Sequence, residues 1–447
     1  MPPPATAPVC DMSMPQRLSP PQVRSPKLVA GVGFAVWRRA AMRKWIKRYG
    51  RLFEINVPFF GRTVVVSEPA LVRSVSTAGT EVLVNVQPNL GNWFGPGSVF
   101  ALDGAFHHQR RRLLAPAFHG RPLKDVEAIV KEETLREIAN WPENTELRTL
   151  EPMTRITLNV ILRTIFGPER AGFEQLRALI PPYMTLGQRL AFAPTPPAPI
   201  RRLTPWNRLD EYRREFDRIV GRLVDRAAAA GDLDERTDVL TLLVRSGQLT
   251  RQGICDEVLT LIGAGHETTA SALAWAFERL RRHPDVLAEL VREADAGGSA
   301  FRQATIAELL RVRTVIDVAG RRVHAPGFDL GDWRIPLGRN VIVRIADIHE
   351  DPAIYADPQV FDPNRFRDTR PTAPQWFPFG GGARRCIGAG YAITEIEVVL
   401  RTVLQHFRIH TDAAPDEKPR FRGVAHVPRL GGRIVVSRRG NPPCRPN

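Results

Sequence analysis

The chain has 447 residues, 43% hydrophobic and 25% charged, an ordinary globular balance with enough apolar side chains for a large core. Lys and Arg number 63 against 47 Asp and Glu, a net charge of +16. The basic pairs are dispersed and no nucleic-acid motif accompanies them, so the excess reads as a solvated surface or a face for an acidic protein partner.

Residues 1–25 are rich in proline and read as a disordered tail without the regions of a signal peptide. Leu28 to Trp37 is apolar but far shorter than the ~20 residues that span a bilayer. With the dense basic run Arg38 to Arg51 behind it, it reads as a packed first helix or one resting on a membrane surface. Phe53 to Ser67 alternates and is rich in β-branched residues, which predicts a hairpin turning at Gly61. Glu68 to Thr77 reads as a short helix. Residues 85–102 read as a long loop carrying exposed aromatics, Trp93, Phe94 and Phe100, and long loops are often functional.

His107 and Arg111 are four apart and share a helix face, with His108 a competing candidate. From Gln109 to about residue 292 helical periodicity dominates, broken at Phe192 to Pro205, whose prolines forbid a helix. Within it, Ile254 to Arg282 reads as one long helix. Its Gly263 and Gly265 each weaken it by roughly 1 kcal/mol relative to Ala, which suggests a flat cofactor or ligand close to the backbone. Gly265, Thr268 and Ala272 fall on one face. Glu267 beside Thr268 is an acid–alcohol pair able to relay protons; the blander reading is a Thr bonded back to a carbonyl and a Glu on the surface.

Glu308 and Arg311 are spaced for an ion pair on one helix. From Arg321 short strands take over, at Trp333 to Pro336 and Val341 to Ile345, then an irregular stretch, 350–378. A last helix shows Ala392, Ile396, Val399, Leu400, Val403 and Phe407 at helical spacing. Arg433 to Ser437 reads as a strand paired with a neighbour across Gly431-Gly432. The fold class is mainly α with a minor β region: one domain over 26–440, with a short tail at 441–447.

The richest segment is Trp376 to Gly390. Gly380, Gly381 and Gly382 allow conformations and close approaches other residues forbid. Cys386 follows just before the last helix, whose N-terminus stabilises a thiolate. Arg384 can neutralise an anionic group of a cofactor. The other cysteines, Cys10, Cys255 and Cys444, show no Cys-x-x-Cys spacing. That argues against disulfides and structural zinc, and for a reducing compartment.

A lone cysteine in such a turn is commonly a packed small residue; the whole string is far more specific. Phe379, Gly382, Arg384, Cys386 and Gly388 fill every position of a pattern that resembles the haem-binding signature of the cytochrome P-450 family. Ala264 to Thr269 is similar to that family's oxygen-activation motif. Glu308 and Arg311 with Arg365 resemble its structural triad, with Asn364 where members often have Glu.

The resemblance implies a triangular, mostly helical fold around haem b, with the Cys386 thiolate as iron ligand. It implies cofactor contacts from His107, Arg111, Arg384, Phe379, Gly382, Gly388, Ala264 and Gly265, and from Arg321 or Arg322, with Arg322 carried as the candidate. It implies a monooxygenase that uses dioxygen, with Glu267 and Thr268 catalytic. Its substrate is expected to be a lipophilic small molecule meeting Trp93, Phe94, Phe100, Met184, Phe192, Val315 and Ile316. No flavin or nicotinamide module is visible. Electrons are therefore expected from an acidic ferredoxin or a flavodoxin-type donor with its reductase. The expected location is cytoplasmic or membrane-peripheral. The rivals are peroxide-driven, isomerase or dehydratase haem-thiolate chemistry, a non-catalytic haem carrier or sensor, and a basic nucleic-acid binder. The intact Glu267–Thr268 pair favours the monooxygenase.

Overall fold

The computed structural model describes residues 18–35, 38–58, 60–86, 90–168, 172–190, 193, 195–230 and 236–440. The first third runs through α1 (Lys27–Ala35), α2 (Arg38–Tyr49), β1 (Leu52–Val57), β2 (Gly61–Val66), α3 (Pro69–Thr77) and β3 (Leu83–Val84). It continues with α4 (Gly91–Phe94), α5 (Gly104–Leu114), α6 (Arg121–Ile138), β4 (Glu146–Arg148) and α7 (Leu150–Phe166). The helical middle holds α8 (Phe173–Leu190), α9 (Ala198–Arg201), α10 (Pro205–Ala229), α11 (Val239–Arg245), α12 (Arg251–Arg282), α13 (Pro284–Ala296) and α14 (Ala300–Val312). Then come β5 (Val318–Val323), β6 (Gly327–Leu330), β7 (Trp333–Pro336), β8 (Asn340–Arg344) and α15 (Ile345–His349). The chain ends with α16 (Ala389–His406), β9 (Phe407–Ile409), β10 (Pro419–Arg422), β11 (Ala425–Pro428) and β12 (Arg433–Arg438). The architecture is mainly α with a minor β part.

α12 is the axis. It is buried around most of its circumference, the mark of a helix inside the core rather than on it. Thr250 caps it by accepting the Gly253 N–H at 3.1 Å. The main apolar cluster wraps it with residues of α7, α8, α10 and α16. A separate sheet, ordered β1-β2-β8-β5-β3, flanks this helical body. The β1–β2 hairpin pairs Leu52 with Val66 and turns through Gly61 at a φ of 77°, as its sequence predicts.

Several expectations are corrected. Residues 18–25 are not a free tail: Leu18 bridges Trp333, Gln22 bridges Glu54, and Glu54 donates its N–H to Pro21 O at 2.8 Å. Proline lacks a donor, yet its carbonyl still serves an edge strand. Residues 1–17 and 441–447 lie outside the described residues. The Pro-rich break contains a helical turn, α9, because Pro199 sits within its first turn, where a missing N–H costs nothing. The helical middle is interrupted by β4, and β12 pairs with β4 and β9 rather than across Gly431-Gly432.

α1 packs through Ala30, while Leu28, Val29 and Val32 are exposed. Among the described residues no helix is long and apolar enough to cross a membrane.

Candidate functional site

The cysteine loop is closed by the Cys386 N–H, which donates to Phe379 O at 2.9 Å. Gly382 adopts a φ of 63°, and a side chain there would collide with the Ser76 carbonyl of α3. Its glycine is therefore required by the scaffold. At Gly388 an added Cβ meets nothing within 4 Å, so that side of the loop is open. The Cys386 thiol is exposed on it. Partial enclosure by the surrounding loop still pushes the thiol above its ordinary range, against the pull of the Gly388 amide, Arg111 and Arg385. The charge of a bound metal would favour the ionised form beyond what the helix N-terminus supplies. Among the described residues no three His, Cys, Asp or Glu gather around an ion. Cys386 therefore suits a metal whose other positions are already filled, as in a porphyrin.

Beside the cysteine stands a cationic ring. His107 is buried, its Nδ1 has no partner, and its pKa is depressed to about 3 by burial and by Arg384, Arg111, His108 and Arg321. Arg384 donates Nη2 to Leu102 O at 2.7 Å and to Asp103, while its Nε is buried without a partner. Burial and Arg384 push Arg321 down to about 10, against Asp103. Orphaned donors among several arginines, opposed by one acid, fit a group that brings carboxylates of its own. Two haem propionates meet that requirement. Of each pair left open, one member lies in this cluster. His107 faces the ring while His108 turns to Thr80 Oγ1 at 3.2 Å. Arg321, not Arg322, belongs to the ring, because alternation along β5 sends the exposed Arg322 to the other face.

On α12 the Thr268 hydroxyl donates back to Ala264 O at 2.8 Å. Glu267 makes no ion pair among the described residues and is partly exposed. An added Cβ at Gly265 would meet Ile161 of α7 at 3.2 Å. Its missing side chain admits α7, and Thr157 of α7 donates to His266 O at 2.9 Å across the same contact.

Above α12 lies an aromatic roof. Trp93 stacks on Phe94 at 4.5 Å, and Phe94 on Phe100 at 5.8 Å. An added Cβ at Gly263 would meet Phe94 at 2.5 Å and Met184 Sδ at 3.2 Å, so glycine seats the roof on the helix. The aromatics expected to be exposed are buried or half-buried, because acids and arginines tie their loop down. Asp256 accepts the Gly97 N–H at 2.8 Å and pairs with Arg213 of α10, which also donates to Phe94 O at 2.8 Å. Glu257 accepts the Val99 N–H at 3.1 Å and pairs with Arg110 of α5 at 2.6 Å. Sequence reading missed this clamp, since the four residues are ordinary surface types on three helices. Val315 is buried, and its carbonyl accepts the His426 N–H of β11 at 2.8 Å; Ile316 is partly buried nearby. Phe192 lies outside the described residues.

Behind the loop, fully buried Arg311 donates a hydrogen bond to each oxygen of fully buried Glu308, both at 2.7 Å, and Arg365 Nε lies 3.5 Å from Glu308. Another missed residue is Glu395 of α16. It is buried, neither carboxyl oxygen is hydrogen-bonded, and burial raises its pKa well above the carboxylate range, against a pull from Thr269 of α12.

A family model described as Cytochrome P450 matches residues 21–433. A Mycobacterium tuberculosis protein named "Putative cytochrome P450 138" is 52% identical over 425 residues, covering 94% of this chain and 96% of that one. Another from that organism, "Putative cytochrome P450 137", is 36% identical over 407 residues, covering 88% and 84%. Among solved structures, retinoic acid bound cyanobacterial CYP120A1 has a TM-score of 0.82 at 22% identity, covering 95% of this chain and 100% of that one. The cytochrome P450DA heme domain has 0.80 at 21%, covering 95% and 98%. These two likenesses concern the fold.

Proposed function

The chain belongs to the cytochrome P450 family, whose members are in general haem-dependent monooxygenases. On that premise we propose that it activates dioxygen and inserts one oxygen atom into a lipophilic small molecule. The reading is carried by one arrangement: an open-sided Cys386 beside orphaned donors of His107 and Arg384.

Cys386 would hold the iron of haem b, and His107, Arg111, Arg321 and Arg384 would hold its propionates. When bound, the haem supplies the iron at which dioxygen is reduced and its O–O bond cleaved. The protein's own share is positioning, proton delivery and dryness. Thr268, now donating to Ala264 O, is the hydroxyl that passes a proton inward, and Glu267, partly exposed one residue away, resupplies it from solvent. The packed roof of Trp93, Phe94, Phe100 and Met184 keeps water out and gives an apolar body its contact. Electrons come from separate proteins, an acidic ferredoxin or flavodoxin-type carrier with its reductase, drawn by the net charge of +16. The haem-binding unit spans 26–440. We place the protein in the cytoplasm, with exposed Leu28, Val29 and Val32 of α1 and the basic α2 against a membrane surface.

The deciding measurement is the difference spectrum of the reduced protein with carbon monoxide. A thiolate ligand gives a Soret band strongly red-shifted from that of a histidine ligand. Cys386→Ser should lose that band and the oxygenase turnover; keeping both would overturn the reading.

A further inference from the structure

We propose that Arg422 is a specificity-determining residue which binds the carboxylate of the substrate, making that substrate a lipophilic carboxylic acid. This rests on the monooxygenase reading and adds the chemical class of what is oxidised.

Arg422 ends β10 and pairs in register with Ala425 of β11, so the two side chains leave the hairpin on the same face. Ala425 is buried in the main apolar cluster around α12, so this is the inward face. The outward face is engaged elsewhere: His426 Nε2 lies 3.3 Å from Asp317, and the Arg38 guanidinium sits 4.5 Å over Phe421. Three contacts fix the hairpin. Val315 O accepts the His426 N–H, Trp275 Nε1 of α12 donates to His426 O at 2.9 Å, and an added Cβ on Gly423 would meet Gln188 O of α8 at 2.8 Å. Arg422 is thereby held between α8 and α12. Its Nη2 lies a long 3.4 Å from Thr185, beside Met184, whose sulfur packs over Gly263.

No carboxylate pairs with Arg422 among the described residues. Several other enclosed arginines are given acids by the chain: Asp317 for Arg38 and Arg344, Asp256 for Arg213, Glu257 for Arg110. A half-buried guanidinium left without an acid at the edge of an apolar roof complements an anion from outside. Its planar fork matches a carboxylate with two parallel bonds. An acid held there keeps its head at the hairpin, with its apolar body against Met184 and the roof.

The test is equilibrium binding of dodecanoic and hexadecanoic acids against the matching primary alcohols. Calorimetry on the haem-loaded full chain reads it, compared across wild type, Arg422→Gln and Arg422→Lys. The wild type should prefer the acids by about tenfold to a hundredfold, the range of a charged hydrogen-bonded contact. Arg422→Gln should erase that preference, and Arg422→Lys should keep part of it and be the more sensitive to salt. Equal affinity for acid and alcohol, binding of neither, or a preference that survives in Arg422→Gln overturns the proposal. Should the glutamine variant misfold, the lysine variant decides: a preference undiminished there also overturns it. The carbon monoxide spectrum reports separately on the haem-thiolate reading.

Discussion

Behind the cysteine loop, Arg311 donates to both oxygens of Glu308, on its own helix, and to the carbonyls of His349, Pro358 and Val360. Above α12, Arg110 and Arg213 reach from other helices to acids on α12 and to the backbone of the aromatic loop. Both regions use buried arginines, but the first saturates one side chain within a tight unit. The second spreads its bonds over three helices and a loop. The contrast teaches that the cysteine side is held by one locally saturated unit, whereas the aromatic roof depends on how separate helices pack.

The largest effect should come from breaking the cysteine side. Glu308→Ala leaves a wholly buried guanidinium uncompensated and should cost about 3–5 kcal/mol in chemical denaturation. A loss near 1 kcal/mol would show that the Arg311 carbonyl contacts suffice without the acid.

The roof should respond to pH instead. Burial, reinforced by Asp256, raises the Glu257 pKa from 4.5 to about 7, against Arg110 and the Val99 amide. The folded state thus holds this proton more tightly than the unfolded chain. Its contribution is complete below 4.5 and fades as pH rises through about 7, a change of order 3 kcal/mol. Titrating wild type against Glu257→Gln should show a stability difference that drifts against the wild type between those limits. A difference independent of pH would refute it.

Thr268→Ala tests proton delivery without disturbing either framework. Product per oxygen consumed should fall about a hundredfold, with stability almost unchanged. Full coupling in the variant would remove Thr268 from the mechanism.

The smallest effect should come from Glu395, which lies between α16 and Thr269 of α12. Because burial favours its neutral carboxyl, Glu395→Gln should change stability by only about 1 kcal/mol in chemical denaturation, and a far larger loss would show that the carboxyl is ionised in the fold.

The sequence by itself determined the haem signature around Cys386, the α12 motif, the Glu308–Arg311 spacing, the β1–β2 hairpin and most helices. These are local patterns: a period, a turn residue, a fixed offset. Tertiary structure alone decided that Arg321 rather than Arg322 joins His107, because one residue of strand register reverses the face. It also decided that Gly265 answers to Ile161 and Gly382 to Ser76. The charged clamp and Glu395 lay beyond reach for one physical reason. A charged residue reads as solvated surface until the fold brings its partner to it or seals it from water, and partners 147 residues apart, as Arg110 and Glu257 are, leave no mark on either local stretch of chain.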